Sequence, residues 1–80
     1  MHHLNEIITI NPEILGGQPV FKGSRVTVES LFDYLESGET LDAFLENFPT
    51  VQRDQALAVM VIAAKLMSSK NLIDLYETAA

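Results

Sequence analysis

Apolar and polar positions follow one rhythm up to Thr27 and another from Val28 onward. Ile7 to Ile10 is a short β-branched run closed by Asn11-Pro12, which predicts a strand entering a turn. Gly16-Gly17-Gln18-Pro19 follows, where glycine permits positive φ and proline presets an extended exit. Val20-Phe21-Lys22 and Arg25-Val26-Thr27 then flank Gly23-Ser24, two β-type runs around a glycine-first loop, and predict a tight hairpin. From Val28 the period becomes helical. Val28, Leu31, Phe32 and Leu35 recur at i, i+3, i+4 and i+7, with Glu29, Asp33 and Glu36 on the other face. Thr27 is placed to cap this helix and Gly38 to stop it. Thr40 is placed to cap a second helix carrying Leu41, Phe44, Leu45 and Phe48, ended by Pro49. Thr50 is placed to cap a third, and Asn71 a last short turn with Leu72, Leu75 and Tyr76. The expected fold is mainly α: short N-terminal strands within 7–27, then a three-helix bundle over about 28–37, 41–48 and 51–68. Residues 1–67 form one domain, and 68–80 a C-terminal tail that ends in a short helix.

The third helix is apolar on most of its girth. Leu57, Met60, Val61 and Ala64 make one stripe, and Val59, Ile62, Ala63 and Leu66 make another. Such a helix is central to a larger core or covered by another chain. The two preceding helices are two to three turns long, too short to wrap both stripes. The pattern predicts a homodimer, with Val59, Met60, Ile62, Ala63 and Leu66 as interface candidates. The alternative is that the N-terminal strands cover the second stripe within one chain.

Composition narrows the class. At 80 residues there is room for one domain, marginal alone and helped by a partner. With no cysteine there is no disulfide framework and no thiolate metal site. The longest apolar run, Ala56 to Ala64, is far below the ~20 residues of a membrane helix, and the N-terminus lacks the order of a signal peptide. A soluble, cytoplasmic protein with no membrane partner is expected. The net charge is −6 and lies in the middle: residues 29–54 hold Arg53 against Glu29, Asp33, Glu36, Glu39, Asp42, Glu46 and Asp54. A field of that sign repels nucleic acid, so DNA contact falls to a few local cations.

Catalysis has little to stand on. His2 and His3 are adjacent at the terminus, without a ligand set around them, so no metal is expected. Lys22-Gly23-Ser24 lacks the spacing and following helix of a phosphate loop. The carboxylates Glu29, Asp33 and Glu36 read as a solvated face. The expectation is a non-enzyme, with no cofactor and no small-molecule substrate.

Two short helices and a longer third have the proportions of a helix-turn-helix domain, whose last helix enters the major groove with its N-terminal residues on bases. Gln52, Arg53 and Gln55 stand there, all residue types that read base edges. The structural alternative is a polar first turn with Arg53 paired to a nearby acid. Lys22 and Arg25 are the candidates for phosphate contact from the hairpin. Their structural alternative is a hairpin whose turns demand glycine, with Arg25 holding a carboxylate or carbonyl.

Gly16-Gly17-Gln18-Pro19-Val20-Phe21-Lys22-Gly23-Ser24-Arg25-Val26 is also a recognisable pattern. It resembles the hallmark of the short bacterial proteins grouped as domain-of-unknown-function family 433, Gly-Gly-x-Pro-x-(aromatic or aliphatic)-x-Gly-(Thr or Ser)-Arg-(Ile or Val). The likeness continues through Leu31 to Gly38, Phe48-Pro49 and Ala56-Leu57, and spans about Ile7 to Ala64. It implies a homeodomain-like, winged-helix-type fold and an antitoxin-like role beside a PIN-like ribonuclease toxin, without catalysis. The combined expectation is a helix-turn-helix protein that dimerises, binds a PIN-like toxin and contacts operator DNA as a secondary function. The competing class is an oligomerisation or adaptor module that uses the same fold for protein contact alone. The tail lies outside the likeness. Leu72, Ile73, Leu75 and Tyr76 give it an apolar face, which either docks on the chain's own helices or folds into a partner's groove.

Overall fold

Two segments distant in sequence make the sheet of the computed structural model, which describes residues 4–79. Strand β1 (Ile8–Thr9) pairs antiparallel with β2 (Val20–Phe21), Ile8 opposite Phe21 and Thr9 opposite Val20. A single helical turn, α1 (Leu4–Ile7), leads into β1. Helices α2 (Val28–Glu36), α3 (Leu41–Asn47), α4 (Arg53–Met67) and α5 (Lys70–Ala79) follow. The architecture is the expected one: a short antiparallel pair, then helices.

The strand expected over 7–10 is shorter and displaced. Ile7 closes α1 and is buried beside α4, while Ile10 lies beyond the pairing and faces solvent. Four β-branched positions cannot signal which of them will face the core. The hairpin keeps its expected register but forms little ladder. The Phe21 N–H donates to the Val26 carbonyl at 2.9 Å, the Val28 N–H donates to Pro19 at 3.0 Å, and Val20 bridges Thr27. The return strand stops there because Thr27 is already the cap of α2, its Oγ1 accepting the Ser30 N–H at 3.1 Å. At the tip, Ser24 Oγ donates to the Phe21 carbonyl at 2.8 Å and accepts the Val26 N–H at 3.1 Å. Gly23 sits there at φ +83°, a backbone state that disfavours side chains.

Local capping chemistry sets α2 and α3. Thr40 Oγ1 accepts the Ala43 N–H at 3.0 Å, and Gly38 follows α2 at φ +91°. Helix α4 begins two residues later than expected, with Gln52 rather than Thr50 at its cap position. The Val51 N–H is tied to the Phe48 carbonyl at 3.0 Å and the Val51 side chain is buried. That turn holds Thr50 out of the helix. Helix α5 starts one residue before the expected cap Asn71, with Ser69 Oγ accepting the Leu72 N–H at 3.3 Å.

The core sits around the first half of α4. Ile7, Phe21, Leu31, Phe44, Val51, Ala56 and Val59 are buried together. Phe44 is its hub, with ring centroids 6.1 Å from Phe21, 5.4 Å from Tyr34 and 5.0 Å from Phe48. Helix α5 contributes no residue to this cluster, and its Ile73, Leu75 and Tyr76 face solvent. The radius of gyration is 14.1 Å, against ~11.6 Å for a compact domain of this length.

Candidate nucleic-acid and partner interface

The hairpin tip is locked to the start of α4 by one side chain. Gln55 Nε2 donates to the Lys22 carbonyl at 2.9 Å and reaches the Ile7 carbonyl at 3.5 Å, while Oε1 accepts the Gln52 N–H at 2.9 Å. Lys22 in turn donates its backbone N–H to Ile7 at 2.9 Å. The tip, α1 and the first turn of α4 therefore form one surface. It carries two adjoining hollows, of about 400 and 480 Å³, that share Gly23 and Thr50. Lys22 and Gln52 border the first and Arg25 the second.

Of the five DNA-contact candidates, the structure thus gathers Lys22, Arg25 and Gln52 around Thr50, all exposed. Gln55 is half-buried, and its amide is engaged by the brace just described. Arg53 turns towards α3 and pairs with Asp42. Both side chains are exposed, 55% and 78%, so the pair is held weakly and exchanges readily with solvent. Glu6 and Asp54 border the same hollow as Lys22. The surface is consequently mixed in charge rather than basic, and the acidic face of α2 adds no cation. The brace had a readable signal in the Gln52-x-x-Gln55 spacing at a helix start. The Arg53–Asp42 pairing had none beyond opposite charge.

The partner candidates divide three ways. Val59 is 6% exposed and belongs to the chain's own core, with Met60 packed beside it. Ile62, Ala63 and Leu66 line an open groove of about 290 Å³ together with Leu4, Val28 and Phe32, and every exposed atom of its lining is apolar. The N-terminal segments border this groove without filling it. Leu72, Leu75 and Tyr76 lie elsewhere, on α5, with Leu72 half-buried. Among the described residues, no three His, Cys, Asp or Glu side chains converge to hold a metal, and His2 and His3 lie outside those residues. Among the same residues, no single helix is long and apolar enough to cross a membrane.

Comparison with known proteins identifies relatives of this chain. The family described as "Protein of unknown function (DUF433)" matches residues 8–63. "Uncharacterized protein y4eO" of Sinorhizobium fredii (strain NBRC 101917 / NGR234) is 33% identical over 58 residues, which are 72% of this chain and 26% of that protein. The chain thus spans about a quarter of that relative's length. No solved structure matches.

Proposed function

The chain belongs to the DUF433 family, and we propose that it acts in the cytoplasm as a non-enzymatic, antitoxin-like helix-turn-helix protein. In this reading it dimerises, binds a PIN-like toxin, and contacts operator DNA secondarily through Lys22, Arg25, Gln52 and Arg53. The observation that carries the reading is the uncovered apolar surface of the α4–α5 arm. Leu57, Val61, Leu66, Met67, Ile73, Leu75 and Tyr76 are all exposed on one small chain. Exposed apolar surface of that extent is characteristic of a protein that works by binding other proteins. The described residues contain neither histidine nor cysteine, so nucleophile–base chemistry of the His or Cys type has no carrier among them. The DNA part is supported by the hairpin tip standing beside the first turn of α4, where side chains that contact phosphate and side chains that read bases share a surface.

A second reading, an adaptor that meets only proteins, is favoured by the −6 net charge and by the engagement of Arg53 with Asp42. Two measurements separate them. Co-expression with the product of the neighbouring gene should yield a stable complex in which that protein's ribonuclease activity is suppressed. Retarded migration of the chain's own promoter fragment, alone or in that complex, supports the operator role; protein binding with no retardation supports the adaptor. Absence of both sinks the antitoxin reading.

A further inference from the structure

One chain carries an apolar groove and a helix with an exposed apolar side, and the two are held apart in this structure. The groove runs between Val28 and Phe32 of α2 and Ile62 and Leu66 of α4, with Leu4 and Ile8 at its end, and its exposed lining is apolar throughout. Helix α5 is ten residues, ~15 Å long, and brings Leu72, Leu75 and Tyr76 to one side at i, i+3 and i+4. Leu75 is 65% and Tyr76 74% exposed. Past Ser68 and Ser69 the chain bends by only 43° from the α4 axis, so α5 runs onward from the groove. To cover its own groove it would have to reverse on α4.

The chain as a whole exposes more surface than a compact monomer of its mass. The chain exposes 5877 Å², whereas a compact monomer of 8.9 kDa exposes ~4,800 Å². The surplus, on the order of 1,000 Å², is close to the ~800 Å² that each partner of a standard dimer buries. We infer that α5 of one copy seats in the apolar groove of a second copy and receives that copy's α5 in return. A second copy is the occupant that the observations favour, because the same chain supplies both surfaces and a two-fold exchange uses each of them twice. This deepens the dimerising part of the reading above, and it is tested by oligomeric state and cross-linking, apart from toxin or DNA binding.

The full chain should sediment as a dimer at tens of micromolar. Leu75→Glu or Tyr76→Glu alters an exposed position of α5, so helicity should persist while the dimer dissociation constant rises ~100-fold or more. Ile62→Glu spoils the groove instead. Mixing Leu75→Glu with Ile62→Glu chains should restore a heterodimer with one intact seat, although neither variant dimerises alone. The natural chain has no cysteine, so oxidation of the Ala63→Cys, Leu75→Cys double variant should give a covalent dimer. That cross-link decides the matter if Ile62→Glu fails to fold. A monomeric wild-type chain overturns the inference, as does a dimer that survives Leu75→Glu. A cross-link at monomer mass also overturns it, by showing α5 folded back on its own groove. So does a groove that fills only when a different protein is added.

Discussion

Replacing Gln55 by alanine isolates the contact that joins the hairpin to α4. The substitution removes two well-formed hydrogen bonds, to Lys22 and from Gln52, each 2.9 Å long, and a marginal third to Ile7 at 3.5 Å. Neutral hydrogen bonds contribute about 0.5–1.5 kcal/mol each, so the two good ones are worth ~1–3 kcal/mol together. Against the ~4–12 kcal/mol that holds a domain of 80 residues, a loss near ~2 kcal/mol is large. It corresponds to a fall in Tm of roughly 8–16 °C. The assay is a thermal melt followed by circular dichroism at one fixed chain concentration, because dimerisation makes Tm depend on concentration. Gln55→Glu sharpens the test. It keeps the acceptor facing Gln52 but sets a carboxylate against the Lys22 and Ile7 carbonyls, which raises the carboxyl pKa in the folded state. The folded variant then holds its proton more tightly than the unfolded chain, so stability present at low pH is lost as pH rises through that raised pKa. Gln55→Glu should lie nearer wild type at pH 4 than at pH 7. A Gln55→Ala melt within 2 °C of wild type, or a Gln55→Glu deficit that shrinks with rising pH, would refute the brace.

Phe44→Ala empties the hub of the aromatic cluster and should cost ~3–5 kcal/mol, leaving the variant largely unfolded at 37 °C by circular dichroism. Truncation after Met67 removes no core residue, so the fold should persist. Its melting temperature should become independent of concentration, read from melts over a hundredfold dilution series. In gel-shift titrations across salt, Lys22→Ala should weaken all sequences alike and flatten the log–log slope by ~0.9 for each phosphate left without its cation. Gln52→Ala should relax sequence preference without moving that slope, and equal effects of the two variants would contradict the assigned roles. Asp42→Asn releases Arg53 from an exposed ion pair and should change stability by less than about 1 kcal/mol.

The helices were readable because what defines them is close at hand in the chain. Thr27 and Thr40 each bond a backbone N–H three residues on, and the apolar spacing from Val28 to Phe48 needs no distant partner to be recognised. The register of the hairpin was readable for the same reason, since Gly23 marks the tip. The start of α4 was misplaced because Thr50 is as good a local cap as Thr40. What displaced it was the burial of Val51, a property of the packed core rather than of its neighbours in sequence. Val59 and Ile62 look alike as apolar helix positions and both border the groove, yet Val59 is buried in the core while Ile62 only packs against its edge.

By itself, then, the amino-acid order determined the rhythm of elements, two of the helix caps, the turn glycines, the acidic middle and an excess of apolar surface on the third long segment. Only the tertiary structure decided that β2 takes β1 as its main partner, that Gln55 braces the hairpin, and that Arg53 rests against Asp42. It also decided that α5 stays out of the core cluster and that the groove on α2 and α4 is left open. The division follows the range of the forces. Capping, turn geometry and periodicity act over three or four residues and are written locally. Burial and pairing depend on which distant surface arrives opposite, and that is settled only when the whole chain has packed.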